Sequence, residues 1–127
     1  MSFAFEAQNL EGKRILVVED DYIQATSLAD AIQRRGGHVI GPVPDVATAL
    51  ELVEKEGLPD AAVLDISLGD EASFAVSTCL REHGVPMLFV TGYDDWFMPN
   101  ELDDIAVCQK PMDAENILRL LLPLRRG

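Results

Sequence analysis

An α/β fold, a doubly wound five-stranded parallel sheet with helices on both faces, is predicted by two features of the sequence. Five apolar runs of strand length alternate with stretches whose apolar residues recur at helical spacing. The runs are continuous rather than alternating, which is the pattern of strands buried on both faces of a parallel sheet.

Ile15-Leu16-Val17-Val18 is the first strand. Ala25, Leu28, Ala29 and Ile32 follow at helical spacing, and Gly36-Gly37 stops that helix. His38-Val39-Ile40-Gly41 reads as the second strand. Asp45 suits a helix N-cap ahead of Val46, Ala49, Leu50 and Val53. The third strand, Ala61-Ala62-Val63-Leu64, runs into Asp65, and a helix over about Glu71 to His83 comes next, closed by Gly84. Met87-Leu88-Phe89-Val90 is the fourth strand and ends at Thr91. Ile105-Ala106-Val107-Cys108 is the fifth and ends at Lys110-Pro111; Asp113 caps a last helix with Ile117, Leu118, Leu121 and Leu122. Right-handed crossovers between parallel strands put helices on both faces. Five such units fit the flavodoxin-like order 2-1-3-4-5. Residues 1–12 are a short lead-in, and residues 13–127 form one domain of ordinary size.

Composition excludes several classes. The formal net charge is -12, from 22 acidic and 10 basic residues. Nucleic acid and anionic membrane surfaces are met by Lys and Arg, so neither is an expected partner. No apolar run approaches the roughly 20 residues that span a bilayer, and the N-terminus lacks the pattern of a signal peptide. Cys79 and Cys108 show no metal-ligand spacing and read as reduced, packed thiols. A cytoplasmic location fits all of this.

The polar residues fall in an informative place. Glu19 and Asp20 follow the first strand, Asp65 the third, Thr91 the fourth and Lys110 the fifth. All are carboxyl ends of parallel strands, the edge at which open α/β sheets bind ligands, and strands 1 and 3 flank the crevice where strand order reverses. Three carboxylates that converge there repel one another unless a cation compensates, and hard oxygen donors select Mg²⁺. Lys110 adds an ammonium suited to a phosphoryl oxygen, Thr91 a hydroxyl donor, and a carboxylate can attack phosphorus to form an aspartyl-phosphate. Singly, each residue has a plain structural explanation as a turn former or surface charge. Five together at matching strand ends form a strong joint signal.

These residues sit in motifs that resemble the receiver domain of two-component response regulators: Ile-Leu-Val-Val-Glu-Asp-Asp at 15–21, Ala-Val-Leu-Asp-Ile-Ser-Leu at 62–68, Phe-Val-Thr-Gly at 89–92 and Gln-Lys-Pro-Met at 109–112. The resemblance covers about residues 13 to 124. It implies that Asp65 is the phospho-acceptor, that Asp20 ligates Mg²⁺ directly while Glu19 acts through water, and that the Ser67 backbone carbonyl completes the coordination. Thr91 corresponds to the switch hydroxyl and Lys110 to the family's lysine, with a cis Lys110-Pro111 bond. Val107 stands where a switch aromatic is common, Gly69 replaces a usual proline, and Pro99 implies an abbreviated fourth helix. Thr91-Gly92-Tyr93 after a phenylalanine-bearing strand is similar to receivers with a Phe-Ala-Thr-Gly signature in bacterial general-stress phosphorelays, with Val90 in the alanine's place.

The expected function is therefore a Mg²⁺-dependent phosphoryl acceptor, not an enzyme with a turned-over substrate. The resemblance implies a histidine kinase or histidine phosphotransfer protein as donor. Output is expected through a downstream protein or a homodimer, on the face of the fourth helix, fifth strand and fifth helix. Leu118, Leu120, Leu121, Leu122 and Leu124 make the last helix apolar beyond one buried stripe. Phosphorylation is expected to draw Thr91 toward Asp65 and reshape the loop from Gly92 to Asn100, which carries Tyr93, Trp96 and Phe97. Tyr93 lies where family members tune access of hydrolytic water. Two alternatives fit less of the pattern. An aspartate-nucleophile phosphatase of the haloacid-dehalogenase type wants a second Asp where Ser67 stands, and a degenerate receiver used as a binding scaffold does not need all five polar groups.

Overall fold

The computed structural model describes residues 10–68, 71–92, 105–109 and 113–121. Strand β1 is Arg14–Val18, followed by helix α1 (Tyr22–Arg34), β2 (His38–Val43), α2 (Val46–Glu56) and β3 (Ala61–Asp65). Two short strands, β4 (Ser67–Leu68) and β5 (Glu71–Ala72), precede α3 (Phe74–Glu82), β6 (Met87–Thr91), β7 (Ala106–Gln109) and α4 (Ala114–Leu121). The main sheet has the order β2-β1-β3-β6-β7, with every pairing parallel. With the separate β4–β5 ladder set aside, this is the expected 2-1-3-4-5.

Alternation along the strands divides the core in two. Leu16, Val18, Ala62, Leu64 and Phe89 pack with Ala49 and Val53 of α2 and with Val76 and Leu80 of α3. Ile15, Val17, Val63, Leu88 and Val90 face Leu28 and Ile32 of α1 and Ile117, Leu118 and Leu121 of α4. Continuous apolar runs are thus explained, because successive residues enter different cores. Cys108 belongs to the second core, and burial pushes its thiol pKa up. Leu10, inside the expected lead-in, is also buried there, and its N–H donates to the Arg35 carbonyl at 2.9 Å.

Local chemistry sets the helix ends. Asp21 caps α1 by accepting from the Gln24 N–H at 3.1 Å, and Gly36 leaves the helix at φ +86°, a left-handed conformation that glycine adopts without strain. Of the expected buried face, Ala25, Leu28 and Ile32 are inside, but Ala31 is fully buried where Ala29 was expected. Asp113 caps α4 through the Asn116 N–H at 2.9 Å. Arg14 fastens the lower edge: its guanidinium donates to the carbonyls of Leu58 at 2.7 Å and Glu56 at 2.8 Å, where α2 ends. Gly41, at φ +96°, lies so close to the neighbouring chain that a Cβ would stand 2.8 Å from the Val43 nitrogen and 3.1 Å from the Val17 oxygen.

Asp45 caps α2 as expected, accepting from the Thr48 N–H at 2.8 Å. That backbone bond, and secondarily the Thr48 side chain, hold the Asp45 carboxyl below its ordinary range. A folded-state pKa below the unfolded one stabilises the protein above the carboxylate range, and this contribution is lost as pH falls through the folded pKa. Urea midpoints of wild type and Asp45→Asn are expected to differ at neutral pH and to converge in acid. A constant difference across the titration would show that the Asp45 charge is not involved.

Two expectations are corrected. The helix expected from Glu71 begins at Phe74, because Glu71 and Ala72 pair antiparallel with Leu68 and Ser67. The chain then rejoins β3 through the Ser73 N–H bond to the Ile66 carbonyl at 3.0 Å. The ladder takes the backbone groups that a first helical turn would have used. The fifth sheet strand starts at Ala106 rather than Ile105, which packs against the first core from outside the strand. The abbreviated helix expected between Thr91 and Lys110, Gly69, Leu122 and Leu124 lie outside the described residues.

Candidate functional site

Register builds the site. Val18 pairs with Leu64 and Asp65 pairs with Val90, so Glu19 emerges beside Asp65, and Thr91 comes one residue after the Asp65 partner. Glu19 is fixed by its N–H bond to the Val43 carbonyl at 2.9 Å. Its carboxylate accepts the Asp21 N–H at 3.1 Å, and this bond tightens the turn into α1. Asp20, between these two anchors, is exposed. Asp65 and Thr91 are buried, at 4% and 5% exposure, and Glu19 is at 9%. Charged groups are rarely so buried, and among the described carboxylates only Glu19 and Asp65 are.

One carboxylate oxygen from each of Glu19, Asp20 and Asp65 lies within 4.8 Å of the other two. Three hard oxygen donors at that spacing fit a small divalent cation, which takes one or two carboxylates and keeps water on its remaining positions. The Ser67 backbone follows Asp65 by two residues and pairs with Ala72, so the β4–β5 ladder fixes the chain that carries its carbonyl. Lys110, the Lys110-Pro111 bond, Tyr93, Trp96 and Phe97 lie outside the described residues. The cis peptide among the described residues is Gly41-Pro42.

Asp21, Arg34 and Arg35 have roles that the sequence motifs do not assign. Asp21 was legible, since an Asp directly before an amphipathic stretch is an N-cap signal. The arginines were not. Arg35 pairs with Glu115 and Arg34 stands 3.8 Å from the same carboxylate, so together they lash α1 to α4. Above this lash the two helices part over a cleft of about 420 Å³. Val63, Val90, Leu28 and Ile117 line it, with Glu19, Asp65 and Asp113 on its polar side.

The doubly wound sheet and the acidic cluster at its carboxyl edge define an α/β domain with a candidate cation site, and comparison with known proteins identifies the family. Residues 15–121 match the response regulator receiver domain, and the chain belongs to that family. It is 29% identical over 106 residues to the phyllosphere-induced regulator PhyR of Methylorubrum extorquens, covering 81% of this chain and 40% of that protein. The structure of SdrG from Sphingomonas melonis Fr1 is 35% identical, with a TM-score of 0.74 over 88% of this chain and 95% of SdrG. The response regulator PhyR of Brucella abortus shares the fold at a TM-score of 0.77 and 23% identity, over 94% of this chain and half (50%) of its own. The chain spans about half the length or less of the curated relatives it matches, 40% and 49% for two of them. It is a receiver domain of the response-regulator type, a class of signalling switches. None of the described helices is long and apolar enough to cross a membrane.

Proposed function

We propose that this receiver accepts a phosphoryl group on Asp65 in a Mg²⁺-dependent reaction and signals by protein contact or onward phosphotransfer. The observation that carries the reading is the approach of Glu19, Asp20 and Asp65 to within 4.8 Å of one another at the sheet edge of a receiver fold. A bound Mg²⁺ supplies charge neutralisation for the transferring phosphoryl oxygens. Asp20 and Asp65, with the Ser67 carbonyl, would hold it, and Glu19 would act through its bound water. An Asp65 oxygen forms the bond to phosphorus as the bond to the donor atom, a phosphohistidine nitrogen of a kinase or phosphotransfer protein, breaks. Thr91 donates its hydroxyl to one phosphoryl oxygen and the Lys110 ammonium meets another. Burial of Asp65 keeps water from competing as nucleophile.

Output is assigned to the face of β7 and α4. Val107 and Leu120 on those elements are exposed at 47% and 46%, although both are apolar. The Phe89-Val90-Thr91-Gly92 motif and the likeness to PhyR support a place in a general-stress phosphorelay of the bacterial cytoplasm. The net charge of -12 favours protein partners over nucleic acid or membrane.

The test is intact-mass spectrometry after incubation with acetyl phosphate and Mg²⁺. Wild type is expected to gain one phosphoryl adduct and Asp65→Asn none. An undiminished adduct in the variant would defeat the assignment. Omitting Mg²⁺ is expected to suppress the wild-type adduct as well.

A further inference from the structure

The Ser73 hydroxyl is fully buried, with the residue at 0% exposure, and it finds no hydrogen-bond partner. A buried hydroxyl left unpaired opposes folding, and in a native protein such a group calls for an explanation. Ser77, one turn on, shows the ordinary solution: its hydroxyl donates to the Phe74 carbonyl at 2.8 Å.

Ser73 stands at the N-cap of α3, where a serine oxygen normally accepts the N–H of the second or third helical residue. One backbone angle prevents this. Asp21, which caps α1, has φ -84° and ψ 114°. Ser73 has nearly the same φ, -83°, but a ψ of 15°, and its side chain makes no capping bond. Its carbonyl instead accepts both the Val76 and the Ser77 N–H, each at 3.1 Å, so one oxygen serves two donors while the hydroxyl serves none. The β4–β5 ladder holds the chain in this arrangement. Its pairs Ser67–Ala72 and Leu68–Glu71 lead into the 3.0 Å bond from the Ser73 N–H to the Ile66 carbonyl. With Val76, Ser77 and Leu80 fixed in the core, rotation about ψ swings the chain before Ser73 and parts that bond. Ladder and cap therefore exclude one another.

We propose that Ser73 is a two-state positioning residue of the cation site. Its hydroxyl caps α3 when the ladder opens, and it is left unpaired when the ladder closes and presents the Ser67 carbonyl to Mg²⁺. In the open state the Val76 N–H moves from the Ser73 carbonyl to the hydroxyl while the Ser77 N–H keeps the carbonyl, the ordinary pattern of a capped helix. In the closed state coordination by Ser67 offsets the unpaired hydroxyl. Mg²⁺ thus draws the chain after Asp65 into the ladder, and Ser73 sets how readily it goes. The link to Mg²⁺ rests on the proposed reading of the acidic site, whereas the exchange of ladder for cap does not.

The test compares wild type with Ser73→Ala and with Ser73→Cys, which keeps the side-chain volume but carries a weak acceptor. Both remove the cap and leave the closed ladder without an unpaired hydroxyl. Amide exchange followed by NMR in chelator is expected to slow at position 73 by about twofold or more in both variants, because the closed ladder is then favoured. Calorimetric titration is expected to give Mg²⁺ affinities about twofold or more tighter than wild type, since apparent affinity follows the population of the competent state. A substitution that merely damaged the core would move both readings the other way. Unchanged or faster exchange at position 73 in the folded variants, or weaker Mg²⁺ binding in both, would overturn the proposal. A wild type that binds no Mg²⁺ would defeat the cation reading, and the exchange rates in chelator would still decide between ladder and cap.

Discussion

Phe89→Ala is expected to destabilise the domain by about 3–5 kcal/mol, the usual cost of deleting a fully buried aromatic ring. Phe89 has 0% exposure in the middle of β6, between β3 and β7. Its ring meets Phe74 edge-on, with centroids 5.9 Å apart and planes at 80°. Truncation therefore removes both apolar transfer and an aromatic pair, which adds about 0.5–1.5 kcal/mol beyond area. The surrounding wall comes from a sheet and two helices that are fixed elsewhere, so collapse into the void is limited. Chemical denaturation reads the loss directly, and with an unchanged m-value the effect is one of stability rather than denatured-state compactness. A loss below about 1 kcal/mol would mean that the first core closes over the gap far more readily than packing of this density allows.

Mg²⁺ is expected to raise stability by about 2.7 kcal/mol when present at a hundredfold excess over its dissociation constant. The folded state brings Asp65 to the adjacent pair Glu19 and Asp20, from which it is far removed in the unfolded chain, so the cation binds the native state preferentially. Asp20→Asn is expected to abolish most of that gain. Asp20 is exposed, so its replacement leaves the core untouched, while Glu19 and Asp65 are buried and their replacement would mix packing with charge. In chelator the variant is expected to be no less stable than wild type, because one of three mutually repelling carboxylates has gone. Identical Mg²⁺-induced gains in the two proteins would remove Asp20 from the coordination and with it the expected ligand set.

These two sites differ in how far they can be read from the chain. The acidic constellation was legible because a parallel sheet maps every strand's carboxyl end onto one edge. Once Ile15–Val18 and Ala61–Leu64 read as strands, Glu19 and Asp65 had to converge. The Phe74–Phe89 contact was not legible, since it depends on where α3 begins. That start was displaced from Glu71 to Phe74 by a ladder of two residues on each side. Residues 71–82 satisfy a helical period almost as well as 74–82, and nothing local weighs the cost of losing the first turn against the gain of pairing with Ser67 and Leu68.

By itself, then, the sequence determined the elements whose signal is periodic: five strands, of which β1, β3 and β6 are buried while the outer β2 and β7 are largely exposed, the described helices, the strand order and the edge where the carboxylates meet. Periodicity works because burial on one face or on two is written into neighbouring residues. Tertiary structure alone decided the cap that Arg14 places on α2, reaching carbonyls 42 and 44 positions away. It also decided the grip of Arg34 and Arg35 on Glu115 and the cleft that opens above it. Long side chains such as Arg carry no period and can serve many partners. Which partner they serve is settled by the distance between elements after the sheet has closed, and that distance is not a local property of the chain.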